Sequence, residues 1–310
     1  MAEAFTGEGK IWLNGTFVEW KDAKVHVLVH GLHYGSGVFE GIRCYATEQG
    51  AFIFRLKEHM DRMYRSAAAY QMEIPYTKAE LSEAIKGTIR INKLDACYIR
   101  PIAFFGYHHL GLNPTGCPVD CAIAVWPWGA YLGEEAAEGG IRCTISPWRR
   151  IDPTTLPVTA KAVGHYLNSI LASLDAKARG FGEAILLDTR GYIAEGPGEN
   201  VFMVKEGIIY TPEADSSILP GITRASVMEL ARDMGYTIVE KRITKEELCA
   251  ADEAFFTGTA AEMAPIREID GVLIGGGRKG AVTSALQKKF FAVLKAREPK
   301  YLKWLEPVSP

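Results

Sequence analysis

No stretch of this 310-residue chain is apolar for long enough to cross a membrane as a helix. Its opening residues, MAEAFTGEGK, lack the basic and then apolar order of a secretory signal. Charge of one sign is missing too: 35 Lys and Arg against 37 Asp and Glu leave a formal net charge of -2, so neither a nucleic-acid surface nor an anionic-membrane surface is expected. The six cysteines (Cys44, Cys97, Cys117, Cys121, Cys143 and Cys249) are scattered and not spaced as a disulfide framework. Reduced thiols in the cytoplasm are the expectation. Only His108, His109, Cys117 and Cys121 lie near one another in sequence. They lack the CxxC and HxxxH spacings that set two ligands on one turn, and no metal site is expected. Internal repeats and low-complexity tracts are also absent. What is there is an ordinary globular composition, 48% hydrophobic and 23% charged, at a length where single cores begin to divide, and two domains are expected.

In the first half, IWLNGTFV reads as a hairpin around Asn14-Gly15, and VHVLV and GVFEGIRCY read as further strands. The run RLKEHMDRMYRSAAAY puts Leu56, Met60, Met63 and Ala67 on one helical face. Thr77 and Glu80 have the spacing of a capping box ahead of a second helix with Leu81, Ile85 and Ile89. CYIRPIAFF and CAIAVW return to strand. Residues 1–126 are thus expected to form a small α/β sandwich, two helices on a mainly antiparallel sheet. WPWGAYLGEEAAEGG breaks both periodicities and marks an interdomain linker at 127–140. Residues 141–310 carry short strands, tight turns and only three convincing helices, after Lys161, Gly221 and Gly280. The first of these has Val163, Leu167, Ile170, Leu171 and Leu174 as its apolar face. This pattern argues for a pseudo-barrel and against a doubly wound parallel sheet, making the chain α+β.

Four segments bring together groups that few chemistries need: TLPVTAKAVGHYLNS with Lys161, EGPGENVF headed by Glu195, LPGITR at a helix start, and TGTAAE. A lysine amine condenses with an aldehyde, a carboxylate holds a pyridine nitrogen protonated, and helix-start amides bind phosphate. Pyridoxal phosphate (PLP) carries an aldehyde, a pyridine nitrogen and a phosphate. Taken singly, each segment has a plainer reading: a solvated lysine, polar turn glutamates at Glu195 and Glu199, an ordinary helix start. GGGRKG at 275–280 matches the GxGxxG of dinucleotide sites, but the helix after it reads as the last element of the chain. With no strand left to close a βαβ unit, it is assigned to a turn.

In this order and spacing the four segments resemble the fold-type IV PLP enzymes. HGLHYGSGVFEGIRCY, EHMDR and YIRP are similar to the branched-chain amino acid aminotransferases among them, and the resemblance runs from about residue 10 to the C-terminus. It implies that Lys161 forms the Schiff base with PLP and shuttles the proton, that Glu195 pairs with the pyridine nitrogen, and that Tyr166 bonds the phenolic oxygen. Leu219, Gly221, Ile222 and Thr223 would cup the phosphate with Arg62, Gly258 and Thr259, while Glu199 and Asn200 tie the turn. Phe39, Gly41, Tyr98, Trp128 and Tyr131 would form an aromatic pocket wall. Arg100, two residues after Tyr98 on a strand and so on the same face, would meet the distal carboxylate of glutamate. The Thr259 and Ala260 amides would take the α-carboxylate. Tyr34 and Leu112 match positions that neighbouring subunits contribute, which implies at least a homodimer, with a hexamer left open. The implied activity is ping-pong transfer of the amino group of L-leucine, L-isoleucine or L-valine to 2-oxoglutarate. D-amino acid transaminases, (R)-amine transaminases and aminodeoxychorismate lyases share the cofactor residues. A nicotinamide oxidoreductase built on GGGRKG is the rival from another class, and a binding protein without activity the blandest.

Overall fold

The structure is a computed structural model that describes residues 7–128 and 139–309. The chain divides into two compact units. The first comprises Met1–Trp128, Ala160–Gly164 and Val293–Pro310, and the second Gly129–Thr159 and His165–Ala292. Two segments expected with the second unit, the one around Lys161 and the C-terminal tail, thus belong to the first.

The first unit is built on β1 (Lys10–Leu13), β2 (Thr16–Glu19), β3 (Gly37–Phe39), β4 (Ile42–Thr47), β5 (Gly50–Phe54), β6 (Cys97–Phe105), β7 (Val119–Trp126) and β17 (Leu305–Pro307). They form one antiparallel sheet in the order β17-β5-β4-β6-β7-β1-β2, with β3 also on β6. Asn14 and Gly15 both have positive φ (47° and 92°), the geometry that a two-residue hairpin between right-twisted strands requires. Helices α2 (Leu56–Ala68) and α3 (Lys78–Ile91) supply Met60, Met63, Leu81, Ile85 and Ile89 to the core, against Ile42, Ile53, Ile99 and Ile123 of the sheet. Each such side chain contributes about 1.5–3 kcal/mol by burial. The capping box of α3 is formed: Glu80 N–H donates to Thr77 Oγ1 (3.2 Å) and Thr77 N–H to Glu80 Oε2 (2.7 Å).

VHVLV is not a strand. His26 closes a turn there, its Nδ1 accepting from Leu28 N–H (3.1 Å) and its carbonyl from Val29 N–H (3.0 Å), and a short helix α1 (His30–Tyr34) follows. Those local bonds satisfy the amides that a sheet partner would have taken.

In the second unit, β8 (Ile141–Ile145), β9 (Glu183–Leu187), β10 (Ile193–Glu195), β11 (Asn200–Lys205), β14 (Glu253–Gly258) and β15 (Glu262–Ile269) close into a ring, because β10 pairs with both β9 and β11. The pseudo-barrel expected from the run of hairpins is therefore present. β12 (Ile208–Thr211), β13 (Ile238–Glu240) and β16 (Val272–Leu273) extend it. Around it lie α4 (Tyr166–Ala178), α5 (Ile222–Asp233), α6 (Lys245–Cys249) and α7 (Ala281–Leu294).

On α4 the sequence pattern misleads. Its leucine face (Leu167, Ile170, Leu171, Leu174) is exposed, while Ala172 and Ala176 pack on Ala184 and Leu186 of the ring. Small residues let a helix lie close to a sheet, so the alanine face takes the inside. Nor does the chain end with α7, for β17 follows. It joins the first sheet antiparallel to β5, which still closes no βαβ unit.

One break in the first sheet falls at Glu40. β3 and β4 run along β6 in a single register, with Phe39 opposite Ile102 and Ile42 opposite Ile99, so that Glu40 faces Pro101. Glu40 N–H donates to the Pro101 carbonyl (2.9 Å), but proline has no N–H to return. The ladder lapses at Glu40-Gly41. By strand alternation Glu40 shares the helix-facing side with Val38 and Ile42, while Phe39, Gly41, Tyr98 and Arg100 share the other.

Candidate active site

In the first unit, Lys161 is held by its backbone. Its N–H donates to Ser66 Oγ on α2 (2.9 Å), its carbonyl accepts from Phe39 N–H (3.1 Å), and Ala162 bridges to Val38. Its ammonium lies 5.0 Å from the centre of the Phe39 ring.

On the same face of β3 and β6 stands an aromatic group. The Tyr98 ring lies 5.1 Å from Trp126 and 4.3 Å from Trp128, and a Cβ at Gly41 would run into the Tyr98 hydroxyl. Arg100 lies within this group, its guanidinium 4.8 Å from the Phe39 ring and 5.3 Å from the Tyr98 ring, with Nη2 donating to the Tyr98 hydroxyl (3.2 Å). Its buried Nε has no hydrogen-bond partner among the described residues. Among the described residues no carboxylate pairs with Arg100. Tyr131 lies outside the described residues. Tyr34 and Leu112 are exposed, and the Leu112 loop is tied back where His30 Nε2 meets the Gly111 carbonyl (2.8 Å).

On the helix side of the break, Glu40 is fully buried and meets two side chains of α2. Arg62 donates from Nε to Oε1 (2.7 Å) and from Nη2 to Oε2 (2.8 Å), and His59 Nδ1 lies 2.8 Å from Oε2. Burial works to raise the Glu40 carboxyl, but the Arg62 charge, its hydrogen bonds and His59 outweigh it and hold the group far below the usual carboxylate range. Burial likewise lowers His59 against the pull of Glu40, so the imidazole is neutral and donates through Nδ1–H.

In the second unit, β10 ends on Glu195, which pairs in register with Asn200 across the GPGE turn. Its buried carboxylate receives Arg150 Nε on Oε1 (2.6 Å), and Asn200 Nδ2 (3.1 Å) and Leu219 N–H (3.0 Å) on Oε2. Arg150 is oriented by Asn168 (3.2 Å). Glu199 ties the turn, its carbonyl accepting from Gly196 N–H (2.7 Å) and its carboxylate from Gly198 N–H (3.0 Å). Asn200 does more than tie it, since its amide also donates to the Leu219 carbonyl (3.0 Å).

Helix α5 starts at Gly221 with no side chain capping it, and Ile222 and Thr223 of its first turn are buried. A Cβ at Gly221 would collide with the Asn200 amide oxygen, so the close approach requires glycine. Arg224 of the same motif turns away to Glu240 (2.7 Å) and the Pro212 carbonyl (3.0 Å). β14 ends at Thr257-Gly258, and Thr259 and Ala260 lie in the turn to β15. Thr257 pairs with Asn200, and its buried hydroxyl has no partner among the described residues. Tyr166 opens α4, half-buried. A braced carboxylate, an uncapped helix start and an unsatisfied hydroxyl are a set that fits a pyridine ring bearing a phosphate.

The GGGRKG turn offers no such set. Glu253 accepts Val282 N–H (3.0 Å), Thr283 N–H (2.7 Å) and the Thr283 hydroxyl (2.6 Å), so the chain's own carboxylate occupies the anion position at the start of α7. Among the described residues no group of three or more His, Cys, Asp or Glu side chains is gathered as a metal site.

Sequence reasoning missed Glu40, His59 and Arg150. Glu40 left a trace, a charged residue at an inward position between Val38 and Ile42. His59 and Arg62 share one helix face at a spacing of three. Arg150, in the irregular SPWRRIDP, left none.

Over residues 37–269 the chain matches the amino-transferase class IV family, and it belongs to that family. Class IV aminotransferases are PLP-dependent enzymes. It is 49% identical over 297 residues to the branched-chain-amino-acid aminotransferase of Pseudomonas aeruginosa, covering 96% of each chain. It superimposes on the crystal structure of the Escherichia coli branched-chain amino acid aminotransferase with a TM-score of 0.96 at 46% identity, covering 97% of this chain and 100% of that one. The branched-chain amino acid aminotransferase of Thermobaculum terrenum, in its PLP-bound holo form, matches with a TM-score of 0.92 at 32% identity, covering 98% of this chain and 99% of that one.

Proposed function

We propose that the protein is a PLP-dependent branched-chain L-amino acid aminotransferase, moving the amino group of leucine, isoleucine or valine to 2-oxoglutarate in two half-reactions. The observation that carries this reading is the mixed face of β3 and β6. Phe39, Gly41, Tyr98 and Trp128 offer an apolar wall to a branched side chain, and Arg100 offers that wall one guanidinium for the distal carboxylate of glutamate. One pocket then serves both substrates.

Bound PLP supplies an aldehyde for the amine and a ring that accepts the electron pair freed with the α-proton. Lys161 is the amine that would hold that aldehyde and, once the substrate amine has displaced it, would carry the proton from the substrate carbon. Glu195, its plane set by Arg150, Asn200 and the Leu219 amide, keeps the pyridine nitrogen protonated. Tyr166 donates to the phenolic oxygen. The Ile222 and Thr223 amides, Arg62, Gly258 and Thr259 bind the phosphate, and the Thr259 and Ala260 amides take the α-carboxylate. The segment 127–140 is assigned as the interdomain linker, and its residues 129–138 lie outside the described residues.

The chain works as at least a dimer to which Tyr34 and Leu112 contribute. The exposed apolar stripe of α4 supports a partner surface. Six free thiols support a reducing, cytoplasmic setting.

The test is the initial rate of conversion of bound PLP by L-amino acids, D-amino acids and (R)-1-phenylethylamine. L-leucine and L-glutamate should both react. Preference for a D-amino acid or the (R)-amine would replace this reading with that of a D-amino acid or (R)-amine transaminase.

A further inference from the structure

We propose that Glu40 is a positioning residue: its carboxylate, braced by His59, sets the direction in which the Arg62 guanidinium meets the cofactor phosphate. The proposal rests on the PLP reading above for the identity of that anion.

A guanidinium is a rigid plane, so fixing two of its three nitrogens fixes the third. Glu40 does this by taking Nε on one oxygen and Nη2 on the other. The carboxylate cannot turn in response, because His59 donates to Oε2 and the Glu40 backbone is bonded to Pro101. Positions 59, 62 and 66 lie on one side of α2, and Ser66 receives the backbone N–H of Lys161. One helix face therefore orients Arg62 and anchors the Lys161 backbone.

Fastening α2 to the sheet is the competing role for the pair, and apolar packing already performs it through Leu56, Met60, Met63 and Ala67. A buried ion pair adds little net stability relative to well-packed apolar side chains. Orientation is what such a pair provides and a hydrophobic contact does not.

PLP binding to the full-length chain tests this, with phosphate-free pyridoxal as the control ligand. Glu40→Gln should weaken PLP binding roughly 10- to 150-fold, the equivalent of one charge-assisted hydrogen bond, and leave pyridoxal binding within about 2-fold. In an Arg62→Ala background the same substitution should cost nothing further, since no guanidinium remains to be aimed. Glu40→Asp keeps the charge but is too short to span both nitrogens. It should show the same phosphate-specific loss, and it serves if Glu40→Gln does not fold. Unchanged PLP affinity, equal losses for PLP and pyridoxal, or a full loss in the Arg62→Ala background would overturn the proposal. A wild-type chain that binds no PLP would refute the cofactor reading itself and the proposal with it.

Discussion

Glu40 in the first unit and Glu195 in the second are both buried glutamates in contact with an arginine, at 2.7 and 2.6 Å. Their surroundings differ. Around Glu40 the donors are side chains of one helix, and both oxygens go to Arg62. Around Glu195 the arginine takes one oxygen, while an asparagine amide and a backbone N–H share the other. In the roles proposed for them, the first carboxylate serves its arginine and the second is served by its arginine. The same residue pair can thus act on phosphate binding in one place and on ring chemistry in another.

The largest effect is expected where neither pair can compensate. Lys161→Ala removes the condensing amine and the proton carrier together, and steady-state transamination should fall by at least ~10²- to 10⁴-fold with thermal unfolding unchanged. Glu195→Gln should slow the half-reaction by about 10²- to 10³-fold, with PLP affinity far less affected. Arg150→Met should move the same parameter by about 10- to 150-fold. Glu40→Gln should do the reverse, lowering affinity more than chemistry. Stopped-flow half-reactions alongside PLP titrations separate the two patterns, and variants of both glutamates acting on one parameter would dissolve the distinction.

Arg100→Met sharpens the account of the pocket. Its glutamate half-reaction should lose about 10- to 150-fold while the leucine half-reaction keeps nearly all its rate. Equal losses in single-turnover rates would take Arg100 out of the substrate site.

Glu183 supplies the smallest effect and the clearest contrast, a buried glutamate with no ion pair among the described residues. Burial pushes its carboxyl up from 4.5 to about 7, opposed by the Ala184 N–H. Because the folded state raises it, the associated stability is complete below the unfolded value of 4.5 and is lost as pH climbs through about 7. Glu183→Gln should remove that slope and gain about 2–3 kcal/mol over the wild type above about pH 7, read from denaturant unfolding below pH 4.5 and above about pH 7. A wild-type stability that does not fall between about pH 4.5 and 7 would show that Glu183 ionises without penalty.

What could be read from the sequence follows the reach of each interaction. The Asn14-Gly15 hairpin, the Thr77–Glu80 box and the α2 and α3 core faces depend on residues a few positions apart, and all are present. The pseudo-barrel was legible from its run of hairpins. VHVLV and the leucine face of α4 were not, since periodicity gives the spacing of a face and not the side that packs. Glu40 and Arg150 depend on partners 22 and 45 residues away; the inward position of Glu40 is a local trace of its pairing, and nothing local to Arg150 announces its own. The chemistry expected of Lys161 and Glu195 rests on family resemblance, because a lysine or a turn glutamate alone carries no such signal.

Borohydride reduction of the PLP-loaded protein, followed by peptide mass mapping, tests the central claim most directly. The account predicts a single phosphopyridoxyl adduct on Lys161, and no adduct once L-leucine has converted the cofactor beforehand. An adduct on another lysine, or none from a chain that turns yellow with PLP, would contradict it.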